Sequence, residues 1–282
     1  MKWDKRRKIF RSLLSKQECY FPGSVSDPLS ARMAEEIGFE VGMFAGSIAS
    51  MTVLGAPDLT LLTLSEFSDQ AHRICRACEL PIIVDADHGY GNALNVMRTV
   101  ESLEIAGVSA LSIEDTELPI SFGSNNKPQL ISVEEGVNKM RAALAARIDP
   151  NLVIMGRTSA PIMTDMDEVL KRVIAYAEVG VDVIFLVGLK SREDLNKVTQ
   201  NIETPIMLGG ISSDLSDKSY LASQNVKFCL QGHSPYFEGI KATYETLYKL
   251  RNDGKENHGN KDDLINKMTM EQEHLKLLKD YM

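Results

Sequence analysis

Long apolar runs are missing from this 282-residue chain, and with them any segment able to cross a bilayer. Cysteine is scarce: Cys19, Cys75, Cys78 and Cys229 have no framework spacing, which excludes a disulfide-stapled scaffold and leads to the expectation of a reduced, cytoplasmic protein. Cys75 and Cys78 form a CxxC on an expected helix with no second pair to match it, which argues against zinc. Positive charge is also short. With 31 Lys and Arg against 39 Asp and Glu, the net charge of −8 argues against broad nucleic-acid binding. The basic opening, Met1 to Leu14, lacks the apolar core of a secretory signal; a transit peptide is one reading of it. Ile9, Leu13 and Leu14 fall on one helix face, which favours a helix covering the end of a barrel.

The remaining composition, 44% hydrophobic and 25% charged, is that of a soluble globular enzyme with one large core or two small ones. Its most informative stretch runs from Leu80 to Asp115. Ile82 to Val84 is short, apolar and β-branched, as a buried parallel strand should be. It ends in Asp85-Ala-Asp87-His-Gly-Tyr-Gly91, and a helix follows over Ala93 to Ala106, closed by Gly107. Ala110 to Ile113 then ends in a second acidic pair, Glu114 and Asp115. This is a βαβ unit with its carboxylates at the strand ends, the edge where parallel sheets bind ligands. Carboxylates packed so closely repel one another unless they share a proton or a metal ion. Oxygen donors without cysteine or histidine pairs nearby suit Mg²⁺, with Mn²⁺ as the alternative.

Along the chain, strands are expected at Cys19–Phe21, Val41–Phe44, Ile82–Val84, Ala110–Ile113, Val153–Met155, Val183–Val187, Ile206–Leu208 and Val226–Leu230, each with a helix between it and the next. Asp27 and Pro28 mark the cap and first position of one such helix. Eight alternations predict a (β/α)₈ TIM barrel over residues 1–252, with a doubly wound sheet as the alternative. A polar linker spans 253–261, and a final helix is expected over 262–282. Its apolar stripe, Leu264, Met268, Met270 and either Leu275 or the pair Leu277 and Leu278, needs a surface to cover. The helix therefore either folds back or is exchanged between subunits of a homo-oligomer, a dimer or tetramer.

In a barrel, polar residues just after the strands converge on one mouth. Here they are Ser47, Asp85, Asp87, Glu114, Asp115, Arg157 and His233. An acidic cluster, a guanidinium fork and an imidazole suit a small anionic substrate chelated to a metal ion, with Arg157 holding a carboxylate bidentately. Each has a plainer reading. Ser47 can satisfy a turn, Arg157 can pair with Glu114, His88 is taken as structural, and Tyr90 is open between the two.

The segment from Asp85 to Asp115 resembles the isocitrate lyase/phosphoenolpyruvate mutase superfamily, in its D-x-D-x-G-Y-G run and its following I-E-D strand end. Ser26 to Arg32, Gly38-Phe39 and Gly46-Ser47 match the family's opening segment. Asp85 to Val100, Glu134 to Val137 and Gly232 to Phe237 are similar to the bacterial oxaloacetate decarboxylase branch. The resemblance implies a Mg²⁺-dependent carbon–carbon lyase that decarboxylates oxaloacetate, or a close 2-oxo dicarboxylate, to pyruvate and CO₂ through an enolate. It implies Asp85 as the main metal-side carboxylate, Asp87 and Glu114 acting through water, and Asp58 as a loop acid nearby. Ser47 and Arg157 would hold the substrate, and His233 would be the branch's own histidine. Phosphonopyruvate or phosphoenolpyruvate chemistry, or a non-catalytic barrel that binds a 2-oxo acid, are the alternatives. The departures are specific. Ser121 to Lys127 carries neither the cysteine loop of the lyases nor the gating motif of the mutases. Ile211 stands where the branch has tyrosine, and Ser159 where it has asparagine.

Overall fold

The computed structural model describes residues 3–124, 127–210, 212–256 and 263–282. Eight parallel strands follow in chain order: β1 (Gly23–Ser24), β2 (Gly42–Phe44), β3 (Ile82–Asp85), β4 (Ala110–Glu114), β5 (Val153–Thr158), β6 (Val183–Val187), β7 (Ile206–Gly209) and β8 (Val226–Cys229). The ring closes through one parallel bridge between Tyr20 and Phe228. There the Tyr20 N–H donates to the Lys227 carbonyl at 2.8 Å, and the Cys229 N–H donates to the Tyr20 carbonyl at 2.9 Å. This is the (β/α)₈ barrel, its β-branched strands buried between inward side chains and an outer ring of helices.

Local signals account for most boundaries. Asp27 accepts hydrogen bonds from the N–H groups of Leu29 and Ser30 and caps the Pro28–Ile37 helix, and Gly38 ends it at φ 96°. Gly107 ends the Ala93–Ala106 helix in the same way. The first strand differs from expectation. Pro22 has no N–H to donate, so no ladder runs through it; Tyr20 is left as a bridge, and pairing with β2 begins at Gly23. β5 runs on to Thr158, which places Arg157 within the strand.

The final helix is also different. Instead of one element over 262–282 there are two, Leu264–Met268 and Glu271–Tyr281, separated at Met270, which has φ 54°. Such a left-handed residue cannot continue a helix. Residues 257–262, most of the expected linker and the start of the expected helix, lie outside the described residues. In this chain the segment folds back, and the Met282 carbonyl accepts a hydrogen bond from the Gly123 N–H at 3.1 Å.

At the opposite end, the Asp4–Leu14 helix closes the barrel floor. Phe10 stacks on Phe228 at 5.0 Å. Arg7 is fully buried; its Nη1 donates to Asp149 at 2.9 Å and its Nε to the Val108 carbonyl at 2.9 Å. Arg6 donates to the carbonyls of Cys75 and Cys78, and Arg11 pairs with Asp182 at 2.7 Å. The basic opening is thus part of the fold, and the CxxC supplies carbonyls to it. Burial pushes the Cys75 thiol up to about 12. Asp149 lies below the usual carboxylate range: burial alone would raise it, but the hydrogen bonds from Arg7 and Asn151 outweigh burial. Arg7→Met should therefore strand Asp149 and Glu104 in the floor without their cation and cost about 3–5 kcal/mol of stability. Urea unfolding checks this, and a loss below about 1 kcal/mol would mean that water reaches the site.

Candidate active site at the barrel mouth

Strand alternation decides which polar residues face the cavity. Successive side chains point to opposite faces, so on β4 Ser112 and Glu114 point inward and Asp115 outward. Register then brings neighbours together: Asp85 lies beside Ser112, and Glu114 beside Arg157. Ser47, Asp58, Asp85, Asp87, Glu114, Arg157 and His233 all line one cavity of about 450 Å³. Of the residues expected at the mouth, only Asp115 is elsewhere. It is fully buried on the outer face, bonded to Arg172 at 2.9 Å and to the Tyr176 hydroxyl at 2.8 Å. Gly136 makes that contact possible, since a Cβ there would lie 2.2 Å from the Tyr176 hydroxyl.

The acids are held individually. The Ser112 hydroxyl donates to Asp85 at 2.8 Å, and the Thr116 hydroxyl donates to Glu114 at 2.8 Å. Asp87 sits at φ 47° in the turn after β3, where its carboxylate packs on Gly46; a Cβ at position 46 would meet Oδ1 at 2.5 Å. Lys139 reaches in from the Val133–Ala146 helix and donates to the His88 carbonyl at 3.0 Å, which pins the turn from behind. His88 itself does not line the cavity. Burial, and then the Lys139 charge, depress its imidazole to about 4, consistent with a structural role. The Tyr90 hydroxyl is buried without a hydrogen-bond partner, and its ring packs near Phe67 and His88.

Four carboxylates in one cavity disturb one another. Burial, followed by the charges of Asp85, Asp58 and Glu114, raises Asp87 well above the usual range. Burial and then Asp85 raise Asp58. Burial raises Glu114, with Arg157 pulling the other way. Arg157 donates to Asp85 and lies 3.3 Å from Glu114, so the ion pair read as its plainer alternative is present. Its Nε is buried without a partner. Among the described residues lining the cavity, the basic side chains are Arg157 and His233. Burial lowers the His233 imidazole, and the charge of Asp85 acts against it.

No three His, Cys, Asp or Glu side chains among the described residues stand close enough to hold a metal ion directly. The donor set is nonetheless one of hard oxygens with excess negative charge, which suits a divalent cation.

Met43, Phe185, Val187 and Leu230 give the wall an apolar stretch, and Thr60, Thr116 and Ser159 are among its remaining residues. Ser159, one of the two departures noted in the sequence, is part of this wall; Ile211, the other, lies outside the described residues, as do Asn125 and Asn126. Sequence reading missed Ser112 and Thr116, although a hydroxyl on the inward face of an apolar strand was a usable signal for Ser112.

An acid-lined cavity at the carboxyl edge of a closed parallel barrel marks this chain as one of the (β/α)₈-barrel enzymes. More narrowly, it belongs to the phosphoenolpyruvate phosphomutase family, whose model matches residues 10–251. It is 53% identical over 251 residues, 89% of this chain and 87% of the relative, to an oxaloacetate decarboxylase of Bradyrhizobium diazoefficiens. It is 50% identical over 252 residues, 89% and 87% of the two chains, to an oxaloacetate decarboxylase of Rhodopseudomonas palustris. Among solved structures it resembles oxaloacetate acetylhydrolase in complex with the product oxalate, with TM-score 0.79 and 26% identity over 98% of this chain and 97% of that one.

The electrostatics give a direct test. The Asp87 carboxyl is raised in the folded chain and ordinary in the unfolded one, so folding is penalised at neutral pH. The penalty falls as pH drops through the raised value and vanishes below the unfolded one. Asp87→Asn should raise the melting temperature of EDTA-treated protein at neutral pH and flatten its rise toward acid. Melts between pH 5 and pH 8 check this; a lower melting temperature for the variant at neutral pH would show that Asp87 is not strained.

Proposed function

We propose that this protein is a divalent-metal-dependent carboxy-lyase that converts oxaloacetate, or a close 2-oxo dicarboxylate, to pyruvate and CO₂. The carrying observation is the convergence of Asp85, Asp87, Glu114, Arg157 and His233 on one small cavity. It is supported by the half-identical relatives named oxaloacetate decarboxylase and by the oxalate complex of oxaloacetate acetylhydrolase.

In decarboxylation the C3–C4 bond breaks, its electron pair moves toward the C2 carbonyl oxygen, CO₂ departs, and the enolate takes a proton at C3. Asp85, Asp87 and Glu114 are the residues that would hold Mg²⁺ or Mn²⁺, which when bound would supply a Lewis acid for the charge that develops on the C2 oxygen. The chain's own groups orient the substrate. Ser47 and its neighbouring amides hold the retained carboxylate, with Arg157 as the second candidate group and as the cation that balances the acids. His233 approaches from β8, across the cavity from the β3 and β4 acids, and donates a hydrogen bond to the departing carboxylate. Burial keeps its imidazole toward the neutral form, so that it does not bind that group too firmly. The wall of Met43, Phe185, Val187 and Leu230 is a poor host for a carboxylate and a good one for neutral CO₂.

The assembly reading is a homo-oligomer in which the C-terminal segment of one subunit covers another. Two features support it. Leu29, Met33 and Ile37 form an exposed stripe on the Pro28–Ile37 helix, and the Ser234–Arg251 helix has no buried residue. Between these helices runs an apolar groove of about 600 Å³, bordered by Tyr236, Ile240, Tyr244 and Leu247. Met268, from the folded-back C-terminal segment of the same chain, borders it too, and this is the segment that exchange would swap between subunits. Buried free thiols, and the lack of a membrane-crossing helix among the described residues, support a cytoplasmic setting.

Two measurements test these readings. With Mg²⁺, oxaloacetate should yield pyruvate and CO₂, while phosphonopyruvate and isocitrate should not react. Chelation should abolish turnover, and Asp85→Ala should lower it by on the order of a hundredfold or more with the fold intact. Turnover untouched by EDTA would make the acidic cluster structural. For assembly, light scattering should give a dimer or tetramer that dissociates on deletion of residues 263–282; a monomer before and after deletion would end the exchange reading.

A further inference from the structure

β8 and β1 meet at the weakest seam of the barrel, where among the described residues the backbone is joined only through the bridge between Tyr20, just before β1, and Phe228. At the mouth end of that seam a side-chain contact crosses it: the Ser24 hydroxyl lies 2.8 Å from Nδ1 of His233. Ser24 is the last residue of β1, and its backbone is fixed by the register of Ser24 with Met43 on β2. His233 holds the N-cap position of the Ser234–Arg251 helix, yet its side chain makes no capping bond there. One ring nitrogen of His233 is thus taken by Ser24, and the ring also lines the cavity.

A neutral imidazole has one N–H and one lone pair, and the partner of one nitrogen sets the role of the other. The Ser24 hydroxyl has no other hydrogen-bond partner among the described residues, so its proton is available to Nδ1. Donation there puts the imidazole proton on Nε2, the nitrogen left to the cavity. The opposite arrangement would turn a lone pair toward a cavity already lined by four carboxylates, and would offer nothing to an anionic substrate.

We propose that Ser24 is a positioning residue that holds His233 in its Nε2–H form, so that the imidazole presents a hydrogen-bond donor to a carboxylate in the cavity. The inference rests on the proposed role of His233 as a donor to the departing carboxylate. Ser24 does not line the cavity; it acts through the ring.

The test uses the full-length protein labelled with ¹⁵N-histidine, with the His233 signals identified by their loss in His233→Gln. The wild type should show the Nε2–H tautomer. Ser24→Ala should give a mixture of tautomers and lower kcat/KM for oxaloacetate about tenfold, while Ser24→Thr, which keeps the hydroxyl, should restore both. Affinity for oxalate, which lacks the departing carboxylate, should be unchanged. An Nδ1–H tautomer in the wild type overturns the proposal. So does a Ser24→Ala protein with lowered melting temperature but unchanged tautomer and kinetics, because Ser24 would then only close the seam. A tautomer that responds to Ser24→Ala while neither Ser24→Ala nor His233→Gln alters turnover supports the hydrogen bond and overturns the role given to His233.

Discussion

Repulsion among the carboxylates at the ends of β3 and β4 is the constraint that the rest of the mouth is built to contain. Asp85, Asp87 and Glu114 are delivered to one place by register and turn geometry, and Asp58 joins them from a loop. Asp85, Asp87 and Glu114 are held individually. Ser112 and Thr116 donate to two of them, Gly46 leaves room for a third, and Arg157 places its charge between Asp85 and Glu114. The surrounding helices contribute indirectly, as when Lys139 fixes the turn through the His88 carbonyl. Stability given up in this way is characteristic of sites organised to receive a cation.

The cavity has two unlike sides. The acids stand on β3, β4 and a preceding loop, whereas β2, β6 and the end of β8 contribute Met43, Phe185, Val187 and Leu230. A substrate that is charged at one end and becomes neutral at the other during reaction matches this division. Arg157 on β5 marks the border, its guanidinium 5.5 Å from the Phe185 ring and its charge directed to the acids.

The barrel was legible because its local rules agreed with one another. Branched apolar runs, Asp27 with Pro28, and glycines at 38 and 107 each mark a boundary that the structure keeps. The errors have physical causes. Asp115 was grouped with Glu114 by adjacency, although adjacency in a strand means opposite faces; its partners Arg172 and Tyr176 lie 57 and 61 residues away in the chain. β1 was displaced because a proline ends a ladder on one side and leaves the next residue free to begin another. The break at Met270 has no signal in apolar periodicity, which runs across it unchanged. The Ser24 contact to His233 spans 209 residues and depends on barrel closure, so no window of sequence contains it.

The floor of the barrel has a consequence for the order of events during synthesis. The Asp4–Leu14 helix leaves the ribosome before any of the groups that anchor it, and most of those come much later. Arg7 waits for Val108 and Asp149, and Arg11 for Asp182. Arg6 finds the Cys75 and Cys78 carbonyls early, but Arg7 and Arg11 lack their full set of partners until about two thirds of the chain has been made, and Phe10 waits longer still, for Phe228. Although it precedes them in sequence, the helix cannot complete its contacts until the segments leading into β4, β5 and β6, and then β8 itself, have been made.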